Sequence, residues 1–163
     1  TYLSEKFIHH VEKIDARVFE RKDQINGFLH SIETRMLMEP SVCQKAAEKI
    51  NDKQQNELIK RVNSIFKSKY WINFKKSIYD FFLTIYTIAD NEEVLQVFSE
   101  LYHEREKLNF DGRGTQTLVS SIVRHNTHLE LNKLSQLIIQ KKPEEAKKFS
   151  EQYLNKIFLS LSA

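Results

Sequence analysis

The stretch IYDFFLTIYTIADN, residues 78–91, decides how this chain folds. Ile78, Phe81, Phe82, Ile85 and Ile88 recur at steps of three and four, the period of one buried helix face. Trp71, Ile72 and Phe74 extend the apolar run upstream, so a central helix is expected over 70–89. Asp90-Asn91 ends it. Either side chain can cap the next helix, and Glu92 and Glu93 suit its positive N-terminal end.

The same period runs outward in both directions. Residues 2–19 carry Leu3, Phe7, Ile8, Val11, Ile14 and Val18, and the basic and polar residues 20–24 read as a connection. Residues 24–37 carry Ile25, Phe28, Leu29, Ile32 and Met36. A new helix or a kink is expected at Pro40, because proline is tolerated only in a helix's first turn. It runs through Val42, Cys43, Ala46, Ala47 and Ile50. Asn51-Asp52 caps the next stripe, Leu58, Ile59, Val62, Ile65 and Phe66. After residue 91 come Val94, Leu95, Val97, Phe98, Leu101 and Tyr102. A loop at Asp111-Gly112-Arg113-Gly114 precedes a helix over 115–140. No strand leads into those glycines, so a dinucleotide or P-loop reading fails. A last helix begins near Pro143, with Ala146, Phe149, Tyr153, Ile157 and Leu161 inward. The expected fold is all-α: one domain, 1–163, an antiparallel bundle of seven or eight helices.

Composition agrees. Of 163 residues, 40% are hydrophobic and 29% charged, and only 3 Gly and 2 Pro are present, too few breakers for an all-β chain. The formal net charge of +3 does not by itself imply nucleic acid. Lys67, Lys69, Lys75 and Lys76 are dense, as are Lys141, Lys142, Lys147 and Lys148. Acidic residues accompany the second set, and a solvated face is favoured over a phosphate site. Cys43 is the single cysteine, so no intramolecular disulfide can form, and a reducing, cytoplasmic setting is expected. No signal peptide and no spanning apolar run is present, so no membrane partner is expected.

Catalytic chemistry has little support. No nucleophile motif, carboxylate pair or Cys-His arrangement stands out, and Asp80 reads as solvent-facing, so an enzyme is not expected. His125 and His128 share a helix face and could meet one metal, although a polar surface is the favoured reading. His9 and His10 point apart. Arg124, His128, Leu131 and Ser135 form one half-polar stripe. Such a stripe marks a boundary with solvent or lines a cavity in which Arg124 anchors an anion; periodicity favours the boundary.

Three stretches, in this order, resemble the effector-binding FCD domain of GntR-type bacterial transcription regulators. The first is ETRMLMEPSVCQKAA (33–47), similar to that domain's opening Arg-x-x-x-Glu and paired Ala. The second is Phe81-Phe82 followed by Asn91, Val94 and Leu95, similar to its Asp-x-x-Phe-His helix and the Asn beginning the next. The third is LIIQKKPEEAKKFSEQYL (137–154), similar to its closing segment. The resemblance covers 25–158. It implies a helical bundle that often holds a metal through one Asp and three His. Those positions fall on Ile78, Phe82, Leu131 and Tyr153, none a good ligand, so neither metal nor other cofactor is expected.

The resemblance further implies a homodimer that senses a small-molecule effector. DNA would be read by a winged helix-turn-helix absent from this chain. Because the chain opens at Thr1, an effector domain excised from a longer FadR-branch regulator is expected. The implied site is Arg35, with Arg124 and His128, against Ile78, Phe82, Tyr86, Leu131 and Tyr153. Its ligand would be an organic acid or an acyl compound. Two bland readings stand beside this: an Arg35–Glu39 salt bridge, and a dimerisation module whose cavity is filled by Phe82 and Tyr153.

Overall fold

The computed structural model describes the backbone of residues 2–108 and 117–162 and the side chains of 25–103 and 117–162. Within these the order is α1 (Tyr2–Lys49), α2 (Asp52–Lys67), α3 (Trp71–Ala89), α4 (Glu92–Leu108), α5 (Ser121–Ile139) and α6 (Pro143–Ser162). The fold is all-α. Extended pairing among the described residues is limited to one isolated antiparallel bridge, Tyr70 to Leu118.

The expected seven or eight helices are six among the described residues. The difference lies in α1, which runs unbroken through both expected breaks. Residues 20–24 contain no glycine or proline and are mostly good helix formers, so nothing there stops a helix. Pro40 cannot donate to the Met36 carbonyl, at a cost of about 3 kcal/mol. Burial on both sides offsets that cost: Phe28 and Ile32 lie before it, and Val42, Cys43, Ala46 and Ala47 after it, all buried. Each large apolar side chain buried contributes about 1.5–3 kcal/mol.

Helix ends follow the side chains. The Asn51 carboxamide accepts from the Gln54 backbone N–H at 2.9 Å, and the Gln54 carboxamide accepts from the Asn51 N–H at 3.0 Å, a complete capping box. Asn91 accepts from the Val94 N–H at 3.2 Å, and Ser120 from the Val123 N–H at 3.2 Å. Asp90 closes α3 with φ of 60°, the left-handed conformation that Asp tolerates better than most residues. The helix expected over 115–140 begins only at Ser121, because 117–119 pair with 69–71. There the Trp71 N–H donates to Thr117 at 2.9 Å and the Val119 N–H to Lys69 at 2.8 Å. The Asp111–Gly114 loop lies outside the described residues.

α1 packs against α3, α4, α5 and α6, while α3 also meets α2 and α4. Phe81, Phe82, Ile85, Tyr86 and Ile88 of α3 are all buried in these contacts, so the stretch 78–91 is the centre of the bundle.

Asn51→Ala removes one half of the capping box. It should destabilise the protein by about 1 kcal/mol, seen as a fall in Tm of about 2–4 °C by circular dichroism.

Candidate functional site

The buried stripe of α1 runs Phe28, Ile32, Arg35, Glu39, Val42 and Ala46, at steps of three and four. Two charged residues therefore sit where apolar ones are expected. Arg35 is 8% exposed and Glu39 is 0% exposed. They are joined by a bidentate pair: Nε donates to Oε1 and Nη2 to Oε2, both at 2.9 Å. The Tyr86 hydroxyl of α3 donates to Glu39 Oε1 at 3.0 Å. Glu39 thus accepts three hydrogen bonds from two helices.

Aromatic rings enclose the pair. The Arg35 guanidinium lies 4.7 Å from the Phe82 ring and 5.7 Å from the Phe98 ring, within cation–π range. Phe82 meets Tyr153 of α6 at 5.8 Å. On the other side Tyr86 stacks on Phe98 at 4.3 Å, Phe98 on Tyr79 at 5.5 Å, and Tyr79 on Tyr102 at 3.7 Å. Four helices thus contribute to one polar cluster with aromatic walls.

The electrostatics follow the burial. Burial alone pulls the Arg35 guanidinium down, and the Glu39 carboxylate more than restores it, so the net direction is up. Burial pushes the Tyr86 hydroxyl up, and Glu39 pushes it further. Burial also raises the Cys43 thiol, one turn along α1, with Glu39 adding to the rise. None of Arg35, Tyr86 or Cys43 is activated for proton transfer at neutral pH. The cluster is built to hold charge in place.

The expected site residues separate into two groups. Arg35, Phe82, Tyr86 and Tyr153 belong to the cluster. Ile78 is half-buried at the edge of the core, and Leu131 is fully buried within it. Arg124 and His128 face α2 instead. Arg124 Nη1 donates to the Phe66 carbonyl at 2.8 Å, and His128 Nε2 lies 3.3 Å from Asn63 Oδ1. Neither contacts the Arg35 cluster, which corrects their expected grouping with Arg35. A helical stripe fixes which residues share a face, not which neighbour that face meets. His125 and His128 both pack on the Phe66 ring, at 6.2 and 5.9 Å. Burial and then the His125 charge lower the His128 pKa. Among the described residues no group of three or more His, Cys, Asp or Glu gathers as a metal site.

Two members of the cluster were not among the expected site residues. In the sequence Glu39 stands out as the partner of Arg35, and its register with Val42, Cys43 and Ala46 places it on the inward-facing stripe. Phe98 was visible only as part of an apolar stripe. Asp80, expected to face solvent, is half-buried and pairs with Lys76 at 3.0 Å and Arg61 at 3.8 Å. Asp80 and Arg61, with Gln54, Glu57, Leu83, Thr84, Thr87 and Ile88, line an open recess of about 250 Å³ between α2 and α3.

No family model matches the sequence, and no curated protein or solved structure is found similar to it.

Two predictions follow from the cluster. Arg35→Met leaves Glu39 buried without its cation and should cost about 3–5 kcal/mol, whereas Arg35→Met with Glu39→Leu removes both charges and should cost less, about 1–3 kcal/mol for the Tyr86 hydroxyl left without its acceptor. Urea denaturation of the two variants measures the difference. The second concerns alkaline pH. Unfolding releases the thiol and phenol to their ordinary values of 9.0 and 10.0, below their raised folded values. The unfolded chain then binds fewer protons, so stability is full below pH 9 and falls above it. Cys43→Ala should flatten the first part of that fall in denaturation midpoints taken from pH 7 to 11.

Proposed function

We propose that this chain is the effector-sensing and dimerisation domain of a GntR-type transcription regulator of the FadR branch, acting in the cytoplasm without a metal and without catalysis. The ordered resemblance of the three stretches supports the family. The observation that carries the sensing role is the unused edge of Arg35. Its pair with Glu39 engages Nε and Nη2, and among the described residues no hydrogen bond uses Nη1.

An acidic head group on that edge gains a charge-assisted bond in a low-dielectric setting. Phe82, Phe98 and Tyr153 offer an aromatic wall to the rest of an organic acid or acyl compound. Positions 78, 82, 131 and 153 offer Ile, Phe, Leu and Tyr, so grip falls to the guanidinium and to apolar contact rather than to a metal. Binding would shift the α1–α3–α6 packing within a homodimer and re-space winged helix-turn-helix heads carried elsewhere in the regulator. By linkage, an effector that weakens DNA binding is itself bound less tightly by the DNA complex.

One observation favours a second reading. Phe82 is 2% exposed and rests on both Arg35 and Tyr153, which suits a dimerisation module whose core is filled.

Thermal unfolding against a panel of mono- and dicarboxylates and acyl-CoA thioesters distinguishes the two. A ligand present at 100 times its Kd should stabilise by about 2.7 kcal/mol, and the paired Arg35→Met, Glu39→Leu variant should fold normally but lose that shift. If no compound raises the midpoint, the filled-core reading replaces the sensing one.

A further inference from the structure

Eleven large hydrophobic side chains are exposed among the described residues, and six of them crowd into two short stretches: Phe66, Tyr70 and Ile72, and Leu118, Ile122 and Val123. Ile122 is 72% exposed and Leu118 64%. The stretches are far apart in the chain but stitched together in space. Tyr70 and Leu118 form the isolated bridge, flanked by the two backbone hydrogen bonds that join 69–71 to 117–119. Residues directly opposite in such a bridge present their side chains on the same face. Arg124 bonds to the Phe66 carbonyl and lies 5.6 Å from the Phe66 ring, which joins the third corner. The end of α2, the start of α3 and the start of α5 thus build one apolar tip.

The stretches that build this tip carry charge of one sign. From residue 58 to 79 the sequence holds Lys60, Arg61, Lys67, Lys69, Lys75 and Lys76 and no Asp or Glu; from 117 to 129 it holds Arg124, His125 and His128 and again no acid. Arg61 and Lys76 are tied to Asp80. Lys67 and Lys69, which flank the bridge, are exposed and have no ion pair among the described residues.

From this juxtaposition we infer that the tip docks on an anionic lipid surface, its apolar side chains entering the headgroup boundary and Lys67, Lys69 and Arg124 meeting lipid phosphates. Each alternative occupant meets an obstacle on the page. A second copy placed by a two-fold axis would bring two basic patches together, a like-charge approach that opposes association. A nucleic-acid duplex offers phosphates but nothing to cover Ile122 and Leu118. A partner helix wants a groove, and these side chains stand out from chain turns, while the recess between α2 and α3 is lined by other residues. A bilayer surface supplies a flat apolar boundary and negative charge together. The tip lies on different residues from the Arg35 cluster, so the inference does not depend on the sensing role.

Flotation with vesicles tests it. The chain should float with phosphatidylglycerol–phosphatidylcholine (3:7) vesicles at least ten-fold more than with pure phosphatidylcholine at 50 mM salt, and this preference should collapse at 500 mM. The single tryptophan, Trp71, sits beside the bridge, so its emission should shift to the blue on binding. Leu118→Glu with Ile122→Glu, and separately Lys67→Glu with Lys69→Glu, should each lower flotation ten-fold with the far-UV spectrum unchanged. Equal recovery on both vesicle types, binding untouched by either pair of substitutions, or binding only to an added acidic peptide or DNA duplex would overturn the inference.

Discussion

The interior of this bundle is organised around a charge pair rather than around a purely apolar seam. Arg35 and Glu39 lie on the buried stripe of α1, and desolvating two ions costs several kcal/mol each unless their geometry and remaining hydrogen bonds repay it. Both conditions are met: the pair is bidentate, and Tyr86 supplies a third bond to Glu39. That requirement fixes much else. Tyr86 must point at α1, which sets the rotation of α3. Phe82, one turn earlier, then falls against the guanidinium, and Phe98 must bring α4 close enough to stack on Tyr86. Sliding α3 along α1 by a turn would take the Tyr86 hydroxyl away from Glu39.

Such a pair is selective in its geometry. An apolar core tolerates many packings of similar energy, whereas a fork-shaped cation on a planar carboxylate accepts few. The aromatic rings that flank the pair share this character, since stacked and edge-on contacts also select an orientation. The same features hold the Arg35 cation in position, with Nε and Nη2 engaged by Glu39.

Much of this arrangement was legible along the chain, and the rest was hidden for identifiable reasons. The central helix, the Asn51 cap, the Asn91 cap and the Pro143 start depend on local chemistry, and local chemistry is written in short stretches. The pairing of Arg35 with Glu39 was visible from their spacing of four; their burial was not, because a charged residue in a stripe reads as an interruption. Arg124 and His128 were misplaced for another reason. They share a face with Leu131, but their polar ends meet Phe66 and Asn63 of α2, and no periodicity records which helix a face will meet. The joining of 69–71 to 117–119 was also out of reach, since two backbone bonds between distant residues leave no pattern in composition.

Pro40 gives α1 a mechanical property that its unbroken course conceals. A helix resists bending because each turn is tied to the one before, and Pro40 omits one of those ties, to Met36. The omission lies immediately after Glu39 and on the same buried stretch as Arg35. α1 is therefore best regarded as two rods sharing a joint, with the charge pair acting as a brace across the turn beside that joint. In a helix 48 residues long, the joint therefore relies on the packing of α3, α4, α5 and α6 against α1 to keep the two rods aligned.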